Sequence, residues 1–204
     1  MIPVIEQNEP DSFHEKVRIK GQQFLKSNSF PDKLKDYWRF ALNDLYSSYN
    51  KICAYSAIWC KRSAASVDHY IPKNVNYELA YEWTNYRLAD RHLNSYKNKY
   101  QDVVDPFKIK EGAFELIFPS LRIIGGPNLC KSKANLTINR LKLNSQMLIE
   151  ERGSYLKEYC KGETTFSFLT KKAPFIAFEL KRQNLIENIQ LIMGYKKKII
   201  KFFH

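Results

Sequence analysis

The middle of the chain, residues 51–105, carries the pattern that most restricts the fold. Two short extended stretches, residues 65–71 and 85–88, are followed by a polar helical stretch at residues 93–100. Stretches this short cannot build a large sheet, so they predict a small strand–strand–helix unit. The residues best suited to chemistry also fall in this unit. We therefore predict a small α/β insert between two flanks.

Helical patterns dominate the two flanks, residues 1–50 and 106–204. Residues 1–30 are mixed and polar. Pro31 then begins a predicted helix whose apolar positions recur at three- and four-residue steps: Leu34, Tyr37, Trp38, Ala41, Leu45 and Tyr49. The whole chain, residues 1–204, is predicted to form a single α+β domain that is mainly helical and contains the small insert.

The second flank is predicted to contain a strand and several helices. The strand lies at residues 114–118, and the sequence GGP at residues 125–127 predicts a turn. Helical sequence follows from residue 134, and the sequence NS at residues 144–145 is a suitable start for a further helix. Pro174 suits the first turn of a last long helix, whose inward side chains would be Ile176, Leu180, Leu185, Ile189 and Ile192.

Composition excludes several classes of protein. Hydrophobic residues make up 44% and charged residues 26% of the 204 residues, as in ordinary globular domains. No apolar run approaches the roughly 20 residues of a membrane span, and the first residues do not resemble a secretory signal. We therefore expect a cytoplasmic protein that does not act in a membrane. The chain has no glycine-rich phosphate loop and no G-x-S-x-G or H-E-x-x-H motif.

The chain is strongly basic, with a net charge of +12 from 33 Lys and Arg against 21 Asp and Glu. The excess is concentrated in residues 106–204, which contain 18 basic and 8 acidic side chains. A positive field attracts polyanions, and nucleic acid is the most abundant polyanion in a cell. The charge therefore favours a nucleic-acid partner, with a role in solubility as the alternative.

Polar residues of the insert form a pattern suited to phosphodiester hydrolysis. Asp68 and His69 are adjacent at the end of the first stretch, and Asn85 and Asn94 follow in the second stretch and the helix. A neutral imidazole can take a proton from an attacking water. The carboxylate of Asp68 and the amide oxygen of Asn94 could bind Mg²⁺, and Asn85 could tie the loop that orients His69. Taken singly, each residue is more often an incidental surface or capping residue.

Together these residues resemble the HNH nuclease motif, which folds as the ββα-metal unit. The similarity is closest to the HNH family that supplies the nuclease subunit of Septu-type and retron-associated bacterial defence systems. It rests on CAY at 53–55, VDHYIPK at 67–73, YEWTNYRL at 81–88 and LNSYK at 93–97. A patchier similarity covers roughly residues 50–155 and includes DP at 105–106, TINRLKLN at 137–144 and LIEER at 148–152.

The resemblance implies a role for each residue of the pattern. The implied catalytic residues are His69, the general base that activates water, and Asn85, which positions its loop. Asp68 and Asn94 would bind Mg²⁺ or Mn²⁺. Two lysines would contact the phosphates of the nucleic acid: Lys73 and Lys97. The implied function is a metal-dependent endonuclease that cuts DNA, with RNA as the alternative substrate, in an anti-phage complex with an ABC-type ATPase.

The chain departs from many such relatives at the positions that bind structural zinc. Those relatives carry two C-x-x-C pairs, of which this sequence keeps only Cys53. The other three positions hold Ser56, Asp90 and Leu93. Because one thiolate cannot form a four-thiolate site, we expect no structural zinc. The unit would instead be stabilised by packing of large side chains: Trp59, Trp83 and Leu93.

Alternatives remain for the partner surfaces and for the function. The predicted helices at residues 31–50 and from Pro174 could dock the ATPase, or they could complete the core of the domain. The protein could also be a catalytically inactive, nucleic-acid-binding subunit of such a complex. A third alternative is a basic protein of the membrane surface that uses the tail YKKKIIKFFH at residues 195–204.

Overall fold

The computed structural model describes residues 1–28 and 33–195. It is a mixed α/β structure, 46% helical, with two small antiparallel sheets of two strands each among the described residues. The strands are β1 (Ala65–His69), β2 (Tyr86–Asp90), β3 (Phe114–Ile117) and β4 (Arg122–Gly125). The α-helices of the described residues are α1 (Asp11–Phe13), α2 (Lys20–Ser27), α3 (Leu42–Ser48), α4 (Arg91–Lys97), α5 (Lys131–Arg140), α6 (Gln146–Cys160), α7 (Phe166–Lys172), α8 (Pro174–Arg182) and α9 (Ile189–Ile192).

The strands β1 and β2 and the helix α4 form one small unit. β1 pairs antiparallel with β2, and the buried side chains of Val67 and Leu88 lie opposite each other. α4 begins directly after β2, because the Asp90 carboxylate accepts a hydrogen bond of 2.8 Å from the backbone N–H of His92 and so caps the helix. The two strands and the helix predicted for residues 51–105 are therefore present, with slightly different ends.

The N-terminal flank is more helical than its mixed polar sequence indicated. A helical stretch covers residues 11–27 and consists of α1, a π-helical segment at His14–Ile19, and α2. Gly21 of this stretch lies against the insert, and an added Cβ there would lie 2.1 Å from the ring of Tyr81. A side chain at this position would displace the tyrosine, so the close approach requires glycine.

The helix predicted to begin at Pro31 starts later in the structure. Pro31 itself lies outside the described residues, and the helical part consists of a 3-10 turn at Tyr37–Ala41 followed by α3. α3 packs against both β1 and β2. Most of the predicted apolar face is buried, at Leu34, Trp38, Ala41, Leu45 and Tyr49. This segment therefore belongs to the core of the domain.

The long helix predicted from Pro174 is divided in two. α8 ends where Asn184 adopts the left-handed conformation, with φ of 56°. The backbone N–H of Leu185 then donates to the carbonyl of Leu180 at 2.8 Å. This combination is a common way to terminate a helix, and it separates α8 from α9. The prediction was wrong for the intervening turn and for Ile192, which is exposed, whereas Ile176, Leu180 and Ile189 are buried as predicted.

A hydrophobic cluster of the described residues joins both flanks to the insert. It contains large buried rings from each part of the chain: Phe13, Trp38, Tyr81, Trp83, Tyr86, Phe114 and Phe175. Within residues 1–28 and 33–195, no helix combines the length and the apolar character that a membrane crossing requires. The basic part of the C-terminal tail, residues 196–204, lies outside the described residues.

A buried ion pair connects β2 to the segment after α4. The Nε and Nη2 atoms of Arg87 each donate to the Asp105 carboxylate at 2.8 Å, and both side chains are less than a twentieth exposed. The guanidinium also lies 3.4 Å from the ring centroid of Phe107. Two parallel hydrogen bonds offset part of the cost of burying both charges. The pair therefore fixes the path of the chain behind the sheet.

We predict that Asp105→Asn lowers the free energy of unfolding by about 3 kcal/mol or more, because it leaves the buried Arg87 charge uncompensated. Urea denaturation monitored by circular dichroism measures the loss. Asp102→Asn is the matched control, since Asp102 pairs with Arg140 at 3.3 Å on the exposed surface and should cost less than about 1 kcal/mol. Equal losses in the two variants would contradict this account.

Candidate active site

An open pocket of about 290 Å³ lies where β1 ends and α4 passes beside it. Four of the six predicted site residues line this pocket: Asp68, His69, Lys73 and Asn94. The other two, Asn85 and Lys97, are buried and do not line it. A further lysine, Lys99, also lines the pocket and was not predicted. The structure therefore brings a carboxylate, an imidazole, three side-chain amides and two lysines together at one surface.

His69 is held in a defined orientation and a defined tautomer. Its ring packs edge-on against Trp38 and Tyr86, with centroid distances of 4.9 and 5.2 Å. The Nε2 atom lies 2.9 Å from the carbonyl oxygen of Ala80. A carbonyl only accepts hydrogen bonds, so Nε2 carries the proton and Nδ1 carries the free lone pair. Nδ1 has no hydrogen-bond partner among the described residues.

Burial also keeps this imidazole neutral. It lowers the pKa of His69 to about 4, and the positive charges of Lys73 and Lys97 contribute in the same direction, whereas the hydrogen bond to Ala80 opposes the change. The ring is therefore unprotonated at neutral pH. An oriented neutral imidazole with a free nitrogen can accept a proton from a bound water.

Asn85 ties together the loop that runs from β1 towards β2. Its Oδ1 accepts from the backbone N–H of Ile71 at 2.8 Å, and its Nδ2 donates to the carbonyls of Ile71 and Leu79 at 2.9 and 3.0 Å. The residue after Leu79 is Ala80, whose carbonyl accepts from His69. The hydrogen bonds expected of Asn85 are thus present, and they lead to the atom that orients His69. Asn85 acts on the loop and not on the pocket itself.

Asp68 is almost fully buried and uses both of its oxygens. The Tyr55 hydroxyl donates to Oδ2 at 2.5 Å, and the Lys97 ammonium lies 3.1 Å from Oδ1. Burial raises the pKa of Asp68, while the Lys97 charge and the Tyr55 hydrogen bond counter that increase. The ammonium thus favours the ionised carboxylate. Each carboxylate oxygen keeps a second lone pair for another ligand.

Lys97 does not occupy the position expected of a phosphate contact. Its side chain has no exposed surface, and its ammonium donates to the carbonyl of His69 at 2.7 Å besides pairing with Asp68. A side chain held in this way cannot reach a ligand in the pocket. Lys73 is exposed at the rim of the pocket, with its ammonium 4.6 Å from the ring centroid of Trp38.

Asn94 presents an oxygen that is free to bind a ligand. Its Nδ2 donates to the Ser66 hydroxyl and to the carbonyl of Val67, both at 3.1 Å. The Val67 carbonyl can only accept, which fixes the orientation of the amide. The Oδ1 atom of Asn94 therefore accepts no hydrogen bond from the part of the chain that the structure describes.

The donor atoms of this pocket suit a hard cation that also binds to substrate. No group of three His, Cys, Asp or Glu side chains within the described residues could hold a metal ion. Among the predicted residues, the pocket offers the carboxylate of Asp68 and the amide oxygen of Asn94. Mg²⁺ takes oxygen ligands, keeps several waters and often binds through one or two protein groups plus a phosphate. This donor set fits such an ion.

Three residues that support the site were not identified from the sequence. Tyr55 binds Asp68, Trp38 packs on His69, and Lys99 lines the pocket. Tyr55 belongs to the string CAY, and Trp38 lies on the apolar face predicted for residues 31–50, so both had a sequence signal. Neither signal indicated which polar residue each ring would contact.

The four positions that the resemblance assigns to structural zinc also come together. Cys53, Ser56, Asp90 and Leu93 line one cavity of about 200 Å³, together with Cys60. The Asp90 backbone N–H donates to the Cys53 sulfur at 3.3 Å. Burial raises the pKa of Cys53 and raises that of Cys60 to about 12, so both remain thiols. Hydrogen bonds and packing hold these positions together.

No protein-family model matches the chain, and no curated protein matches it.

We predict that wild-type protein purifies without stoichiometric zinc, whereas the triple variant Ser56→Cys, Asp90→Cys, Leu93→Cys binds about one zinc per chain. With Cys53, the variant supplies thiols at all four positions that the resemblance assigns to zinc, and zinc takes four thiolates in structural sites. Elemental analysis of both proteins measures the difference. A folded triple variant without zinc would show that these positions do not have the geometry of a zinc site.

Proposed function

We propose that the protein is a metal-dependent endonuclease of the HNH type, with β1, β2 and α4 as its ββα-metal unit. The observation that carries the proposal is that Asp68, His69, Lys73 and Asn94 line one open pocket. The order of these residues along the chain and their spacing match the resemblance described above. The resemblance to the HNH motif is also supported by one cavity, which is lined by Cys53, Ser56, Asp90 and Leu93.

In this proposal His69 is the general base. Its Nδ1 takes a proton from the water that attacks phosphorus, while Nε2 stays bonded to Ala80. The proton on Nε2 keeps the ring in the tautomer that the reaction needs. Asn85 is a positioning residue, because it holds the loop that carries the Ala80 carbonyl. Trp38 and Tyr86 keep the ring from rotating.

Asp68 and Asn94 are the residues that would hold Mg²⁺ or Mn²⁺. Such an ion, when bound, stabilises negative charge on the phosphate and on the leaving oxygen. The Lys97 ammonium already balances the Asp68 charge, so the free pocket attracts a cation only weakly. The phosphate of the substrate would supply the missing negative charge. Lys73 and Lys99 at the pocket would contact that phosphate and draw nucleic acid towards the site.

We expect His69→Ala to lower the rate of nucleic-acid cleavage by about 10²–10⁴-fold, because removal of a general base has an effect of this size. The assay uses plasmid DNA and tRNA with Mg²⁺ or Mn²⁺, and with EDTA. In His69→Gln, a side-chain amide N–H can still donate to the Ala80 carbonyl, but no imidazole remains to accept a proton. We expect this variant to lose cleavage as His69→Ala does. The matched control is His14→Ala, which removes an exposed histidine.

A further variant separates metal binding from proton transfer. Asn94→Ala should raise the Mg²⁺ concentration needed for half-maximal cleavage, and nucleic-acid affinity measured in EDTA should change little. Cleavage by His69→Ala at the wild-type rate, or cleavage that persists in EDTA, would show that the assigned mechanism is wrong.

A second function is supported by one observation. The Lys97 ammonium lies 3.1 Å from the carboxylate that would hold the metal. An internal ion pair at that position would also suit a catalytically inactive subunit that binds nucleic acid through its positive charge. Binding that weakens with salt, with no cleavage in Mg²⁺ or Mn²⁺, would favour this second function.

We also propose that the nuclease works in a complex with an ABC-type ATPase, as the resemblance implies. The chain has no nucleotide-binding loop of its own, so control by a nucleotide requires a partner. The buried residues of α8 make it part of the core, which leaves less of this helix for docking than expected. The following segment is more accessible, with exposed apolar side chains at Ile186, Leu191 and Ile192.

We predict that the tagged protein retains an ABC-type ATPase encoded beside its gene, and that Leu191→Asp weakens this retention. The substitution places a charge on an exposed apolar side chain that is 64% accessible. Ile5→Asp is the matched control, because Ile5 is 79% accessible at the other end of the described chain. Pull-down after co-expression measures the effect. Vigorous cleavage by the isolated chain, with no ATPase retained, would contradict this prediction.

A further inference from the structure

A second and larger groove, of about 630 Å³, lies next to the candidate active site. We call it the tyrosine groove. It runs between the end of α4 and the end of α5, and its lining includes Tyr96, Asn98, Tyr100, Arg140 and Lys142. Asn98 lines both the tyrosine groove and the catalytic pocket. A polymer bound in the groove can therefore continue directly into the pocket.

Each tyrosine of the groove has a cation beside its ring. The Arg140 guanidinium lies 3.7 Å from the ring centroid of Tyr100, and the Lys142 ammonium lies 4.5 Å from that of Tyr96. At 3.7 Å the guanidinium is in contact with the ring. Bases of nucleic acid stack on aromatic rings and on arginine planes, while neighbouring cations bind phosphates.

The charge of the groove also favours a polyanion. Asp102 is the acidic side chain paired with Arg140, at 3.3 Å, and both members of this pair are about two-fifths exposed. An exposed pair of this kind is weak, so a phosphate can compete for the arginine. Lys142 is exposed, and Lys99 continues the row of cations into the catalytic pocket.

We propose that the tyrosine groove binds unpaired nucleotides of the strand to be cut and leads that strand into the catalytic pocket. This inference rests on the proposed nuclease function and adds the form of its substrate. Stacking surfaces need bases that are not paired, whereas a duplex would use only the cations. The groove thus favours single-stranded or locally opened nucleic acid over an intact duplex.

The test measures binding of a fluorescein-labelled 20-nucleotide oligo-dT and of a 20-base-pair duplex by fluorescence anisotropy in EDTA. The double variant Tyr96→Leu, Tyr100→Leu should raise the Kd for oligo-dT by at least about 30-fold, because two stacking positions are lost. The Kd for the duplex should change by less than about threefold. The double variant Tyr96→Phe, Tyr100→Phe should bind like wild type, since it keeps both rings.

The cations are tested by the double variant Arg140→Gln, Lys142→Gln, which changes exposed or half-exposed side chains only. It should weaken the binding of both oligonucleotides and reduce the salt dependence for oligo-dT by about 1.4 in the log–log slope. The control is Lys51→Gln, Arg62→Gln, because these cations lie 5.9 and 5.8 Å from the ring of Tyr46, a tyrosine outside the groove. Both control affinities should remain close to those of wild type.

The outcomes separate this inference from the proposed function. If the leucine variant binds oligo-dT as tightly as wild type, or loses affinity equally for the duplex, the groove does not bind bases and the inference is wrong. If wild type still cuts nucleic acid in that case, the nuclease proposal stands without the groove. If the groove variants lose affinity as expected but wild type cuts nothing, the groove inference stands and the nuclease proposal fails.

Discussion

The buried ammonium of Lys97 is the constraint on which the site depends. It has no exposed surface and is bonded to the carbonyl of His69 and to the carboxylate of Asp68. An unpaired charge at this depth would be very costly. α4 can therefore pack on β1 only when both partners are in place. The same contacts position Asp68 and His69, the two neighbouring residues that the proposed chemistry uses.

Buried hydrogen bonds also position the other parts of the site. Asn85 holds the loop backbone next to Ala80, and the Ala80 carbonyl fixes the tautomer of His69. The Tyr55 hydroxyl donates a hydrogen bond to the Asp68 carboxylate. The reactive groups are thus oriented by buried neighbours, whereas the lysines at the pocket stay exposed. This division suits a pocket that must be rigid around a phosphate and still attract a charged polymer.

Much of the insert could be predicted from the sequence, because its signals are local. The strands and α4 followed from short patterns, and the spacing of Asp68, His69 and Asn94 indicated one site. The burial of Lys97 could not be predicted, since lysine is ordinarily exposed and its partner atoms include a backbone carbonyl. The helical stretch at residues 11–27 was also missed, because a narrow apolar face among polar residues gives a weak periodic signal. The break after α8 depends on one left-handed residue, Asn184, which carries no apolar pattern.

We propose that Asp68 and Asn94 bind a catalytic metal ion in the pocket that contains His69, and the other proposed roles at this pocket depend on that ion. Anomalous diffraction from crystals of the full chain soaked in Mn²⁺, with a short uncleavable oligonucleotide, tests it most directly. We expect one strong peak about 2.1 Å from an oxygen of each residue, with a phosphate as a further ligand. A peak elsewhere, or a pocket that holds the oligonucleotide without any ion, would contradict it.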